Sequence, residues 1–407
     1  MIQSVDYREW SSENALSHTI PVMLDLDSSV ETDRLLEAVK KAVLAHPGMS
    51  TRLEAADGMV WQVPCEEVSR CYEPEIEKVS EDQMGGIREK LALELMEPCA
   101  LPLYLIRLYE TEKQKHLFIQ FAHAISDADS IDILIRDIAL AYEGGEPARE
   151  GMTIFEAGDE LFEFMSSPLY AHTLAYYKKL TEGMNAWMDI PGDLTEETIH
   201  LGTAERTLSV EKGRIQAFCK ENRITDNTFF AGLAALTFSS LTGRDWSSYM
   251  LAYNGRNDSR LANTFGFLAT LLPVCTKLDR ESRFSDFLQG MQQQLIHTMG
   301  DAAFPIQKMA AVYPNMFEYL FVIQPEEKPV FMDGRPVGVE WLSENVGSSL
   351  SRMVVQILTL EDRYQIRIDY HANRYSAAYM DHMLDNMEEF VKMGLEGELL
   401  GGLLQHA

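Results

Sequence analysis

The stretch from Leu117 to Tyr142 constrains the fold more than any other. Leu117, Ile119, Phe121 and His123 fall at period two, as on a strand with one face against a core. A short loop, Ala124-Ile125-Ser126-Asp127-Ala128-Asp129-Ser130, follows. Ile131, Leu134, Ile135, Ile138, Ala139 and Tyr142 then recur at helical spacing, and Gly144 and Gly145 stop the helix. A strand that passes to a helix in this way places one His at its mouth and one Asp at the helix foot.

The rest of the chain repeats the alternation. Ile20, Val22, Leu24 and Leu26 predict a strand, and Leu35 to Leu44 a helix closed by Pro47. Strands are expected at 58–63 and 103–109, with a charged turn at 110–115. Ser166-Ser167-Pro168 is the best seam, which divides the chain into halves 1–166 and 167–407. The second half predicts helices over 170–180, 226–241 and 284–295, strands at 248–253, 267–275, 319–323, 353–360 and 364–370, and a last helix over 377–393. Residues 193–202 read as a loop. Mixed strands and helices in two similar halves predict two α/β layers.

Composition narrows the function. The 407 residues carry 63 acidic against 35 basic side chains, a formal charge of −28. That charge argues against nucleic acid and against an anionic membrane surface as partners. No apolar run approaches the ~18 residues of a membrane span. The first ten residues have no basic head or apolar core, so no secretory leader is expected. The five cysteines, Cys65, Cys71, Cys99, Cys219 and Cys275, are irregularly spaced, which fits a reducing cytoplasm. Phosphate-binding glycine loops are missing, and no His/Cys group has zinc spacing. Asp127, Asp129 and Asp132 resemble the start of a calcium loop but lack its Gly and closing Glu, so no metal is expected. Lys178 with Lys179, or Arg206 with Lys212 and Arg214, are the candidate basic patches; a solvated helix face is the plainer reading of each.

His123 with Asp127 is the pair suited to chemistry. An imidazole titrates near neutral pH and can take a proton from an attacking group. On spacing alone a second reading is the plainer one: a buried His bonded to a backbone carbonyl, with Asp127 or Asp129 as helix N-cap. Of the other histidines, His18 and His46 border a strand and a helix, His116 lies on the opposite strand face from His123, and His371 follows a strand and could face either way.

Phe121-Ala122-His123-Ala124-Ile125-Ser126-Asp127-Ala128 resembles the His-His-x-x-x-Asp-Gly motif of nonribosomal peptide synthetase condensation domains and related coenzyme A-dependent acyltransferases. His46-Pro47-Gly48-Met49-Ser50-Thr51-Arg52 is similar to the family's His-Pro-x-Leu-Arg-Thr-Arg run. Thr228–Gly243 looks like its second-half helix. Asn254-Gly255-Arg256, followed by Gly266-Phe267-Leu268-Ala269-Thr270-Leu271-Leu272-Pro273, resembles its Gly-Arg and Gly-x-Phe-Val-Asn-Thr-x-Pro elements. Phe284–Lys308, with Phe304-Pro305-Ile306, resembles the next helix and its Pro. The matches run in order over about residues 20–395.

The resemblance implies two chloramphenicol-acetyltransferase-like halves forming a pseudodimer with a tunnel between them. It implies His123 as the catalytic residue, and Asp127 as a structural residue paired with an Arg, for which Arg256 is the candidate. Ala122, Ser126, Ala128, Ala269 and Thr270 become tunnel candidates. Ala122 stands for the family's first His, Ala128 for its Gly and Ala269 for an Asn. The activity implied is acyl or aminoacyl transfer from a pantetheine thioester to an amine, on a carrier protein or coenzyme A. The thioester is a co-substrate, and no tightly bound cofactor is implied. Ester formation from an acyl-coenzyme A and an alcohol is an alternative, as is a catalytically silent binding module. Two fused halves remove the need for a trimer, so a monomer is expected.

Overall fold

The computed structural model describes residues 19–56, 59–70, 74–94, 96, 101–184, 186–300, 306–324, 326, 328–342 and 351–405. His18, Cys71, Cys99, the start of the chain and the Phe304-Pro305 pair lie outside them.

In chain order the first part forms β1 (Thr19–Asp27), α1 (Thr32–Ala45), β2 (Thr51–Ala56), β3 (Met59–Pro64), α2 (Glu66–Arg70), β4 (Glu75–Lys78), α3 (Glu81–Ala92), β5 (Tyr104–Glu110), β6 (Gln114–Ala122), α4 (Ala128–Tyr142) and α5 (Ile154–Met165). There follow α6 (Tyr170–Leu180), β7 (Leu201–Thr207), α7 (Lys212–Asn222), α8 (Asp226–Thr242), β8 (Trp246–Tyr253), β9 (Thr270–Lys277), α9 (Phe284–Gly300) and α10 (Ile306–Val312). The last are β10 (Tyr319–Gln324), β11 (Val330–Met332), β12 (Arg335–Trp341), β13 (Met353–Thr359), β14 (Tyr364–His371), α11 (Ala377–Leu395) and α12 (Leu400–Leu403).

These elements sort into two compact units. The first takes the chain to Ser167 and adds Asn254–Ala269 and Lys328–Val346; the second holds Pro168–Tyr253, Thr270–Glu327 and Gly347–Ala407. A single cut between 166 and 167 does not describe this division. The reason is hydrogen bonding: β12 pairs antiparallel with β1, Val22 opposite Trp341, and Gly266, Leu268 and Ala269 bond to the Asp127 and Ser130 side chains.

The first unit holds a six-stranded sheet in the order β11-β12-β1-β6-β5-β4. Period two works here because each face meets a different partner. Val22, Leu24, Leu117, Ile119 and Phe121 pack with Leu35 and Val39 of α1 and Leu134 and Ile138 of α4. Met23 and Phe118, on the other face, pack with Met84 and Leu91 of α3. The hairpin β2-β3 is a separate two-stranded sheet.

The second unit holds a mixed sheet, β7-β14-β13-β10-β8-β9, with β10 parallel to both β8 and β13. One face buries α8 and α11 through Phe229, Phe230, Phe238, Met383 and Met387. Helix α8 is apolar all round because it is buried all round. A Cβ on its Gly232 would lie 2.1 Å from Leu288, so this glycine sets how closely α8 and α9 approach.

Two expectations change. Residues 201–202 open β7 rather than ending a loop, since Leu201 and Gly202 pair with His371 and Tyr370. The strand expected from Phe267 starts at Thr270, because the Leu268 and Ala269 N–H groups go to a carboxylate instead of a strand partner.

Candidate active site

Strand β6 ends at Ala122, and residues 122–126 turn back on themselves: Ile125 N–H donates to the Ala122 carbonyl at 3.0 Å. His123 stands at the head of this turn, half-buried. Its Nδ1 lies 2.8 Å from the Ser126 carbonyl. A carbonyl can only accept, so Nδ1 carries a proton, and in the neutral ring Nε2 presents its lone pair. Phe267 stands edge-on to the ring, with centroids 4.9 Å apart and planes at 61°. The base geometry and the backbone-bonded reading of His123 are therefore one arrangement: the carbonyl fixes the tautomer that a proton acceptor needs.

Asp127 closes the same loop from below. It is the N-cap of α4, and its Oδ1 accepts Ser130 N–H at 2.9 Å and Ser130 Oγ–H at 2.7 Å. Arg256 donates in bidentate fashion, Nη2 to Oδ1 at 2.9 Å and Nη1 to Oδ2 at 3.0 Å. Oδ2 also accepts the N–H groups of Leu268 and Ala269, each at 2.9 Å. Burial disfavours the charged carboxylate, but Arg256 and Ser130 overcome it and hold Asp127 below the ordinary range. Asp129 also faces Arg256, at 3.5 Å from Nη1. The guanidinium therefore stands among the carboxylates that resemble a calcium loop.

The remaining candidates lie as follows. Ala122 is buried with Leu103 and Ile125. Ser126 is fully buried and its hydroxyl points to the Ala122 carbonyl at 3.4 Å, so it has no surface to line a channel; its carbonyl orients His123 instead. Ala128 is exposed in the first turn of α4, and Ala269 is half-buried. Thr270 opens β9 opposite Tyr253, in the second unit.

Sequence reading missed a second knot of charge in the first unit. His46 is fully buried, with Nδ1 2.8 Å from Glu150 and Nε2 3.1 Å from Asp137. Burial alone would favour the neutral ring, but the two carboxylates outweigh it and raise the His46 pKa. Glu150 also accepts Phe265 N–H at 3.0 Å, so this knot holds the same 254–269 segment as Asp127. Gln62 was missed too; its Nε2 donates to the Ala124 carbonyl at 2.5 Å.

The cysteines described are free and buried, and burial pushes the Cys219 and Cys275 thiols up, away from nucleophilic use. Of the basic patches, Arg206 pairs with Asp385, Lys212 with Glu326 and Arg214 with Glu396. Lys178 and Lys179 are exposed at the end of α6. Among the described residues no helix is long and apolar enough to cross a membrane.

Two sheet-bearing units of mixed α/β structure, with a His-x-x-x-Asp turn between strand and helix, define a chloramphenicol-acetyltransferase-like fold. The model of the Condensation domain family matches residues 7–397, and the chain belongs to that family. It is 26% identical over 334 residues to Gramicidin S synthase 2 of Brevibacillus brevis, covering 77% of this chain and 7% of that protein. It is 23% identical over 303 residues to Surfactin synthase subunit 1 of Bacillus subtilis (strain 168), covering 72% of this chain and 8% of that one. The chain thus spans less than a tenth of the length of these two relatives. Among solved structures, the condensation domain of the Monacolin K polyketide synthase MokA aligns with a TM-score of 0.80 at 14% identity, covering 98% of each chain. The starter condensation domain of rhizomide synthetase RzmA, solved as a mutant in complex with C8-CoA, aligns with a TM-score of 0.77 at 12% identity, covering 98% of this chain and 96% of that one. At these identities the structures speak for the fold.

Proposed function

We propose that this chain is a condensation-type acyltransferase that moves an acyl or aminoacyl group from a pantetheine thioester to an amine. The observation that carries the reading is the contact of His123 Nδ1 with the Ser126 carbonyl at 2.8 Å, which in the neutral ring leaves Nε2 as a proton acceptor. In the reaction the amine nitrogen attacks the thioester carbonyl. His123 Nε2 takes the proton the nitrogen sheds. The C–S bond breaks, and the thiolate leaves with a proton returned to it. A placed base of this kind is worth about 10²–10⁴ in rate.

Arg256 and Asp127 hold the loop and take no proton in this scheme. The donor is a carrier-protein arm or coenzyme A; the RzmA complex with C8-CoA supports the latter as a form this fold can accept. The substituted positions do not disturb the His123 turn. Ala122 fills a small apolar cluster, and Ala128 lies in the open at the helix start.

The test is thiol release from acyl-coenzyme A and from acylated carrier proteins, with amine and alcohol acceptors, wild type beside His123→Ala. Release that needs both an amine and His123, with an amide as product, is the expected result. An ester product alone would replace the amine reading. No His123-dependent release from any donor would leave a binding module.

A further inference from the structure

We infer that Gln62 is a positioning residue for His123, acting through the carbonyl of Ala124; this rests on the reading of His123 as the base. The turn that bears His123 closes most of its carbonyls on itself. Ala122 O accepts Ile125 N–H at 3.0 Å, and His123 O accepts Ser126 N–H at 3.4 Å. Ser126 O accepts the imidazole. The Ala124 carbonyl is instead satisfied from outside, by Gln62 Nε2 at 2.5 Å.

The donor comes from an element with no other share in the six-stranded sheet. Gln62 lies on β3, opposite Leu53 of β2, and Val60 lies two residues before it on the same face. Val60 and Leu53 pack on the Ala124 methyl. The hairpin therefore grips one residue of the turn by its side chain and its carbonyl together. The imidazole tautomer is held by Ser126 O, so a rotation of the peptide units between Ala124 and Ser126 moves the carbonyl that fixes it. The Gln62 bond fixes that rotation. Without that donor the Ala124 carbonyl is left unpartnered, the peptide units from Ala124 to Ser126 turn to find another, and the Ser126 carbonyl is drawn off Nδ1.

The experiment uses the full chain with 15N-labelled histidine, its His123 signals assigned by their loss in His123→Ala. Wild type should show a protonated Nδ1 and an unprotonated Nε2. Gln62→Met keeps the length of the side chain and removes the donor. It should mix the His123 tautomers and lower kcat about 10-fold with KM within about twofold, since small misplacement of a reacting group is costly. Gln62→Lys returns an N–H of similar reach and should restore the wild-type nitrogen spectrum. His123 nitrogens unmoved in Gln62→Met would overturn the inference. So would mixed tautomers with unchanged kcat. If wild type itself transfers no acyl group, the functional reading fails, and the nitrogen spectra alone decide whether Gln62 orients the ring.

Discussion

Two buried charge knots hold residues 254–269 in the first unit, and they are built on opposite principles. At one, Arg256 meets Asp127, and the carboxylate also accepts Ser130 and two backbone N–H groups. At the other, His46 stands between Asp137 and Glu150. The first uses a cation that never loses its proton in a protein. The second uses one that can. The difference makes the first knot a permanent clamp near the reacting loop, and the second a clamp that depends on pH.

Removing one partner of the permanent clamp should have the largest effect. Asp127→Ala and Arg256→Ala should each destabilise the chain by about 3–5 kcal/mol, because a buried charge is left without its partner. Chemical unfolding measures this. The comparison sharpens with Asp127→Ala combined with Arg256→Met, which should cost clearly less than the sum of the single changes. Additive losses would mean that the pair acts through shape alone.

The titratable knot is broken by pH. His46 has its pKa raised above the ordinary 6.5. Its stabilisation is complete below that value and disappears as pH rises through the folded-state pKa, with a slope of up to about 1.4 kcal/mol per pH unit. Asp127 is held below the ordinary 3.8, so its share is present above that value and fades as pH falls further. Unfolding midpoints from neutral to alkaline pH, wild type minus His46→Gln, should show the His46 slope. The same subtraction with Ser130→Ala should be flat. A wild-type curve parallel to His46→Gln would remove the imidazolium from the account.

The smallest effect belongs to Ser130, on the first knot. Ser130 Oγ–H lies 2.7 Å from Asp127 and 2.8 Å from the Gly266 carbonyl, and Oγ accepts Gly266 N–H at 3.0 Å. Ser130→Ala should cost about 1–2 kcal/mol, the scale of a lost buried hydrogen-bond partner. A loss as large as that of Asp127→Ala would make Ser130 an equal member of the clamp.

The sequence shows the knots unequally. The His123 turn was legible because period two gives way to helical spacing around it, and α8 because an apolar helix needs burial on all sides. Asp127 with Arg256 became visible only through the family resemblance, since 129 residues separate them. His46 is 91 residues from Asp137 and 104 from Glu150, and no local pattern marks it. Strands β11 and β12 escaped for a related reason. Val330–Trp341 carries Pro336 and two glycines, and its pattern makes sense only beside β1. The hairpin β2-β3 was seen in part, but the reach of Gln62 to Ala124 is a tertiary fact.

The pairing of β1 with β12 also sets an order of events during synthesis. Asp25 finds its partner only when Gly338 has been made. At about 5–20 residues per second that wait is roughly 15–60 s, during which one edge of β1 lacks its neighbour. An open strand edge recruits other strands. The newborn chain thus passes through a window in which its first sheet is a target for wrong pairing, and a chaperone that shields that edge would act before Gly338 is made.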